Sequence, residues 1–459
     1  MQYLVERFTA PGIAHHSYLL GSGRAAAVID PSRDWWTYTD RAAELGMEIR
    51  YIFETHRNED YVVGSSDLVR ETGARVFHGS GLDFTYGETL EDGDEFRLGI
   101  LKIRALATPG HTPESFSYAL IHPDAGEEAV AVFTGDALFV GEVGRTDFYP
   151  ERRRELAEAL YHSIHDKILP LGDGTILYPA HGAGSACGNS ISERNDSTLG
   201  LEREQSPMLS LPKEEFVAHK MNETLPIPPY FRLMEKYNLH GGPEVMNRPR
   251  PRPLSPTVFR ELAEEEGTLV LDCRLPPAFG AAHVPGSISI WREGLASFAG
   301  WVLPSDARIL LVIDELSGLE EAVTSLMRVG YDRIEGYLDG GMEFWYNAGF
   351  QPAGTDLRTA ADLKEMVDED SVEVLDIRRP DERAEGYIPG SRWIFVGELL
   401  ERMEEVPRGR PIALVCNVGN RGSLGTSLML RAGYTDVMNI LGGMTAWNRL
   451  ELPTVRDAE

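Results

Sequence analysis

The sequence predicts an α/β protein of several domains, and three observations carry that prediction. Short apolar, strand-like runs alternate with helical stretches along the chain, the pattern of layered α/β folds. The second half repeats itself at a spacing of about 100 residues, so it holds two copies of one unit. Between the halves lies "RPRPRPLSP", residues 248–256, a proline-alternating basic stretch expected to be extended and stiff.

Taken in order, "AAAVID" and "AVAVFTGDALF" read as buried strands and "WTYTDRAAELG" as a helix. Residues 213–240 read as helices and turns appended to the first domain, which is set at 1–247. Beyond the 248–256 linker, "LVLDCRLPPAFGAAHVPGS" from 269 matches "EVLDIRRPDERAEGYIPGS" from 373. "ILLVIDELSGLEEAVTSLMRVGY" from 309 aligns without gaps to "IALVCNVGNRGSLGTSLMLRAGY" from 412, and "LDGGMEFW" answers "LGGMTAW". Each copy alternates strand and helix, predicting two compact domains with parallel sheets at 257–353 and 354–459.

Composition narrows the function. The 459 residues carry a net charge of −28, which disfavours nucleic acid and anionic membranes as partners. No charged-then-apolar leader opens "MQYLVERFTAPG", and no apolar run reaches the ~18 residues of a membrane span. Three cysteines, Cys187, Cys273 and Cys416, are too few and scattered for a disulfide framework. A reduced, cytoplasmic setting is expected.

Four pieces place a His or Asp just after an apolar run: "ETHRNED", "TPGHTPES", "FTGDALF" and "YPAHGAG". Such positions converge at the edge of an α/β sheet. A single His beside a strand is ordinarily structural, the reading given to His15, His16, His78, His122, His162 and His165; four pieces in one domain point to a metal. Over residues 1–205 the chain resembles the metallo-β-lactamase superfamily, whose pattern is T-H-x-H-x-D-H followed by a later His, an Asp and a final His. That resemblance implies an αββα sandwich. His56, Asp60, His111, Asp136 and His181 match the pattern, whereas Asn58 and Tyr61 replace two imidazoles.

What survives, His56, His111 and Asp136, is a two-His, one-carboxylate set of the kind that holds Fe(II) with open positions. The chain here is similar to the persulfide dioxygenases of that superfamily, as is "VGRTDF" at 143–148. The resemblance implies one Fe(II) per chain on those three residues, with zinc as the alternative metal. Asp60 and His181 are then either outer groups that orient the ligands or remnants of a two-metal ancestor, and Asn58 and Tyr61 are alternative ligand positions. Arg145 is either a clamp for a substrate carboxylate or a partner of Asp147. Cys187 is either a small buried residue or a thiol near the iron that handles sulfane sulfur.

In the last copy a buried strand leads to Cys416, then a loop of Asn417, Val418, Gly419 and Asn420, then Arg421 and Gly422. Loop N–H groups and a helix start aimed at the sulfur favour thiolate and cradle anions. This segment and "LDIRRPDERAEGYIPGS" resemble the rhodanese family. Four residues between Cys416 and Arg421, rather than the five of related phosphatases, imply a cradle sized for sulfane sulfur. Asp376 and Arg378 are read as braces. In the first copy Ile313 stands in the cysteine position and Gly318 in the arginine position, with Glu315, Glu320 and Glu321 nearby; Cys273 aligns with Ile377 and reads as a buried strand residue. That copy is expected to be inactive.

The whole chain resembles persulfide dioxygenase–rhodanese fusions of bacterial sulfide detoxification. The expected reaction takes a low-molecular-weight thiol persulfide, O2 and water to thiol and sulfite, with Cys416 passing sulfur among persulfide, sulfite and thiosulfate. A dimer or tetramer is expected. Two other readings are a zinc thioester hydrolase joined to a sulfurtransferase, and a silent metal domain on a sulfur carrier.

Overall fold

The computed structural model describes residues 3–188 and 190–456. The chain divides into two compact units, one formed by residues up to 248 with 327–330, the other by the remainder from 249 onward.

In the first unit, largely buried apolar strands build two six-stranded sheets. One holds β1 (Leu4–Ala10), β2 (His15–Ser22), β3 (Ala25–Ile29), β4 (Glu48–Phe53), β5 (Arg75–His78) and β6 (Glu88–Thr89), in that order. The other holds β7 (Glu95–Leu98), β8 (Leu101–Ala107), β9 (Phe116–Ile121), β10 (Ala129–Gly135), β11 (Ile176–Pro179) and β12 (Ser197–Thr198), each beside the next in sequence. Successive side chains of a strand face opposite ways. On β2, Tyr18 and Leu20 enter the cluster between the sheets, while Leu19 faces outward; on β10, Ala131 and Phe133 enter it while Val132 faces outward.

Helices cover both outer faces. Trp36–Glu44 and Ser65–Thr72 lay Tyr38, Ala42 and Leu68 on the first sheet. Arg153–His162 and Lys213–Asn222 lay Ala157, Leu160, Phe216 and Val217 on the second. The result is the helix–sheet–sheet–helix order of an αββα sandwich. Each fully buried Leu, Val or Phe in these layers contributes about 1.5–3 kcal/mol. Residues 213–240 hold two helices, Lys213–Asn222 and Phe231–Leu239.

The second unit contains two parallel five-stranded sheets of identical order. The first is β13 (Arg252–Leu254), β17 (Ile334–Leu338), β16 (Arg308–Val312), β14 (Thr268–Asp272) and β15 (Ile288–Ser289). The second is β18 (Asp356–Thr359), β22 (Val437–Leu441), β21 (Ile412–Val415), β19 (Glu373–Asp376) and β20 (Arg392–Trp393). The repeat in sequence is thus a repeat in topology. The copies meet where the helix Asn420–Arg431 lies on β15: Ser289 N–H donates to Ser427 Oγ at 3.1 Å, and the Ser289 and Ser423 hydroxyls are 2.8 Å apart. The Trp301 and Phe395 rings meet edge to face at 5.1 Å.

Two expectations need correction. The stretch 248–256 is not linker throughout: Arg252–Leu254 is the edge strand β13, paired with β17, and the Ser255 hydroxyl caps the helix Pro256–Ala263. Proline fits both places, because an edge strand and a first helical turn tolerate a missing N–H. Cys273 is buried but stands one residue past β14, on the wall of a cavity of about 280 Å³. Among the described residues no helix is long and apolar enough to cross a membrane.

Candidate metal centre and cysteine loop

Four loops, each just past a strand (β4, β8, β10 and β11), build the first site. After β4 the turn is fixed by Thr55, whose N–H and hydroxyl each donate to Asp30 at 2.7 Å. His56 Nδ1 lies 2.8 Å from that hydroxyl. With the hydroxyl proton committed to Asp30, His56 Nδ1 is the donor and Nε2 keeps its lone pair. His111, past β8, is fixed in the same way: Nδ1 donates to the Arg145 carbonyl at 3.0 Å. Asp136 follows Gly135, where φ is +55° and a Cβ would come within 2.5 Å of Thr55 Oγ1. Only glycine turns the chain here.

The free atoms converge. Asp136 Oδ2 lies 3.5 Å from His111 Nε2 and 3.8 Å from His56 Nε2. Glu59 Oε2 lies 3.6 Å from His111 Nε2 and 4.0 Å from His56 Nε2. All four atoms are buried and lack a hydrogen-bond partner. Leaving one such group unpaired costs about 1–3 kcal/mol, so four facing one another mark a place for a cation. Donors on one ion with bonds of ~2.1 Å stand about 3.0–3.4 Å apart when adjacent; these separations are slightly wider than that. The nitrogen and oxygen donor set suits a divalent first-row metal.

His181 is engaged elsewhere. Its Nδ1 donates to Asp136 Oδ1 at 2.7 Å and its Nε2 to Asp60 Oδ2 at 2.8 Å. Burial opposes charge on this ring, but the two carboxylates raise its pKa well above the ordinary value, so it is an imidazolium. Burial likewise opposes charge on Asp136, yet His181 and His56 hold its carboxyl far below the usual range. Burial pulls His56 down to about 4, leaving it neutral.

The remaining expected residues fall into place around this core. Asn58 turns its amide onto the His56 carbonyl at 3.1 Å. Tyr61 points its hydroxyl at the Asp30 carbonyl, 3.4 Å away, and lays its ring on His15, so it lies outside the converging set. Arg145 is fully buried and donates to Asp147, Ala186, Leu225 and Pro226. Every arm of the fork is used, so the clamp reading gives way to the Asp147 partnership. Cys187 packs with Phe139 and Ile191, and its sulfur lies within 4.8 Å of ligand atoms of His111 and Asp136. Burial pushes its thiol up.

The second site forms past β21. Cys416 is buried and its sulfur accepts from Gly419 N–H at 3.0 Å, with Gly419 at φ +106°. Asn439 donates to the Gly419 carbonyl at 2.9 Å and packs against Gly422. Arg421 forks onto Glu382 at 2.5 and 2.6 Å, and Asn417 donates to the same carboxylate at 2.6 Å. Val418 is exposed at the loop tip, and Asn420 opens the helix Asn420–Arg431.

The metallo-beta-lactamase superfamily matches residues 10–181, and the rhodanese-like domain matches residues 255–348 and 359–450. Over 249 residues the chain is 32% identical to the mitochondrial persulfide dioxygenase ETHE1 of Bos taurus, covering 52% of this chain and 89% of that protein. The Homo sapiens protein of that name matches equally, at 32% over 249 residues. The chain belongs to the persulfide dioxygenase-like metallo-beta-lactamases, fused to two rhodanese-like domains. A crystal structure of a metallo-beta-lactamase from Staphylococcus aureus subsp. aureus COL aligns with the fusion at a TM-score of 0.66 and 28% identity, covering 74% of this chain and 99% of that one.

Within the fusion, the first rhodanese-like copy places Ile313 directly after β16, where Cys416 follows β21. Gly318 leaves room that Arg292 fills, since a Cβ there would meet Arg292 Nη1 at 2.3 Å. Arg274 and Arg378 pair with Asp272 and Asp376 in the two copies, bracing the turn after each strand. Three site residues escaped the sequence reading: Glu59, Glu382 and Asn238. Glu59 occupies an unspecified position of the histidine motif. Glu382 stands in the matched signature, but nothing local ties it to Arg421. Asn238 lies in the helical extension, where it accepts from Val63 N–H at 3.0 Å and donates to the Asn58 and Tyr61 carbonyls at 2.6 and 2.8 Å.

Proposed function

We propose that the chain oxidises a low-molecular-weight thiol persulfide at one Fe(II) held by His56, His111 and Asp136, and moves sulfane sulfur through Cys416. The balanced reaction is RSSH + O2 + H2O giving RSH, sulfite and two protons. The observation that carries this reading is that His56 Nε2, His111 Nε2 and Asp136 Oδ2 face one point, while Asp60 and His181 are bonded to each other. That division turns the unpaired donors toward one ion and ties Asp60 to His181. Iron, when bound, supplies a redox-active centre with open positions for an anionic sulfur and dioxygen. The chain's own groups set up that chemistry. Thr55 and the Arg145 carbonyl hold both imidazoles with Nε2 inward, and His181 neutralises the outer oxygen of Asp136.

In the rhodanese step the Cys416 thiolate attacks the outer sulfur of thiosulfate, forming a cysteine persulfide and releasing sulfite. A thiolate acceptor then takes the outer sulfur and restores the Cys416 thiolate. Run backwards, the step makes thiosulfate from sulfite. The Gly419 N–H and Arg421 are the groups available to hold the anion. The setting we propose is the cytoplasm of a cell that disposes of sulfide, with no nucleic acid or membrane partner and assembly as a homo-oligomer.

Oxygen uptake with glutathione persulfide tests both halves. The iron-loaded protein should consume one O2 per persulfide; His111→Ala should abolish uptake. Cys416→Ser should keep uptake but lose thiosulfate turnover. Uptake that persists in His111→Ala, or a zinc-loaded protein that cleaves thioesters without oxygen, would reject the reading.

A further inference from the structure

We infer that Glu59 is a fourth protein ligand of the same metal, making the centre a two-His, two-carboxylate site. The inference rests on the one-metal reading above and specifies it further. Glu59 is fully buried, and its Oε2 has no hydrogen-bond partner. That atom stands 3.6 Å from His111 Nε2 and 4.0 Å from His56 Nε2, beyond hydrogen-bond reach yet close to the spacing of donors around one ion.

The way Glu59 is held repeats the way Asp136 is held. Asp136 gives Oδ1 to the imidazolium of His181 and leaves Oδ2 free. Glu59 gives Oε1 to the Arg57 guanidinium at 3.0 Å and leaves Oε2 free. Arg57 is itself buried, and Glu235 lies 3.1 Å from the same nitrogen. A buried cation behind each carboxylate fixes which oxygen faces inward, the role that outer partners play at metal sites. Two carboxylate oxygens facing two imidazole Nε2 atoms form a set that a dication would satisfy. The two carboxylates would balance the charge of a divalent ion held there.

The test uses the metal-free full-length protein titrated with Co(II), read by visible absorption and by competition with a chelator. Glu59→Ala and the isosteric Glu59→Gln are compared with the parent, each checked for folding by far-ultraviolet circular dichroism. The expected result is one Co(II) per chain in all three, with at least a ~10-fold weaker affinity and an altered visible spectrum in both variants. Unchanged affinity and spectrum in Glu59→Gln would overturn the assignment while leaving the one-metal reading in place. Two Co(II) per parent chain, or none, would overturn both.

Discussion

Side chains at the metal centre share one device: a buried carboxylate has one oxygen paired to a cation and the other turned inward. For Asp136 the cation is His181, so His181→Asn removes the charge without emptying the ligand set. Metal affinity should fall ~10–100-fold, measured by chelator competition. At the cysteine loop the corresponding pair is Glu382 with Arg421. Burial raises the Glu382 pKa, but the bidentate guanidinium more than offsets this and leaves it lowered. A lowered carboxyl pKa adds stability above the unfolded value of ~4.3, lost as pH falls through the folded value. Glu382→Gln should therefore melt below the parent at neutral pH, with the gap closing in acid. At this scale the convergence of His56, His111 and Asp136 was legible from their places after apolar strands together with the superfamily pattern. Glu59 was not, because its importance depends on Arg57 behind it and two imidazoles in front, and no spacing in the sequence encodes that. Arg145 was left between two readings, and its bonds to Asp147 and to carbonyls from distant segments favour the structural one.

Among the elements, the helix Phe231–Leu239 acts as a clasp on the histidine loop. Asn238 spends its side chain on three backbone groups of residues 58–63. Asn238→Ala would leave those buried groups unpaired at about 1–3 kcal/mol each, partly relieved by water. The melting temperature of the metal-free protein should drop, and metal should dissociate faster, both measurable by calorimetry and stopped-flow chelation. An unchanged dissociation rate would confine Asn238 to stability. Strand and helix types were readable from periodicity, as in "AAAVID" and "WTYTDRAAELG". The edge strand β13 was hidden because its prolines match a stiff linker as well as a sheet margin, and only pairing with β17 decides between them.

Over the whole molecule, the two copies in the second unit share a topology but differ at the loop after the central strand. One copy keeps Cys416, Arg421 and their cradle. The other has Ile313 and Gly318 in those places and supplies the Ser289 contacts to the helix that begins at the reactive loop. Under the proposed function, two chemistries on one chain would keep a shared sulfur intermediate at an effective concentration up to the ~mM range when the sites can reach each other. The twin parallel sheets followed from alternation and repeat, and the αββα layers from the superfamily resemblance; the proposed division of ligands between one ion and an internal His–Asp pair required coordinates. Metal content and X-ray absorption of the anaerobically isolated protein test that division most directly. One iron per chain with nitrogen and oxygen neighbours and no second metal at ~3.5 Å is the expected result; a paired-metal signal, or His181 among the ligands, would contradict it.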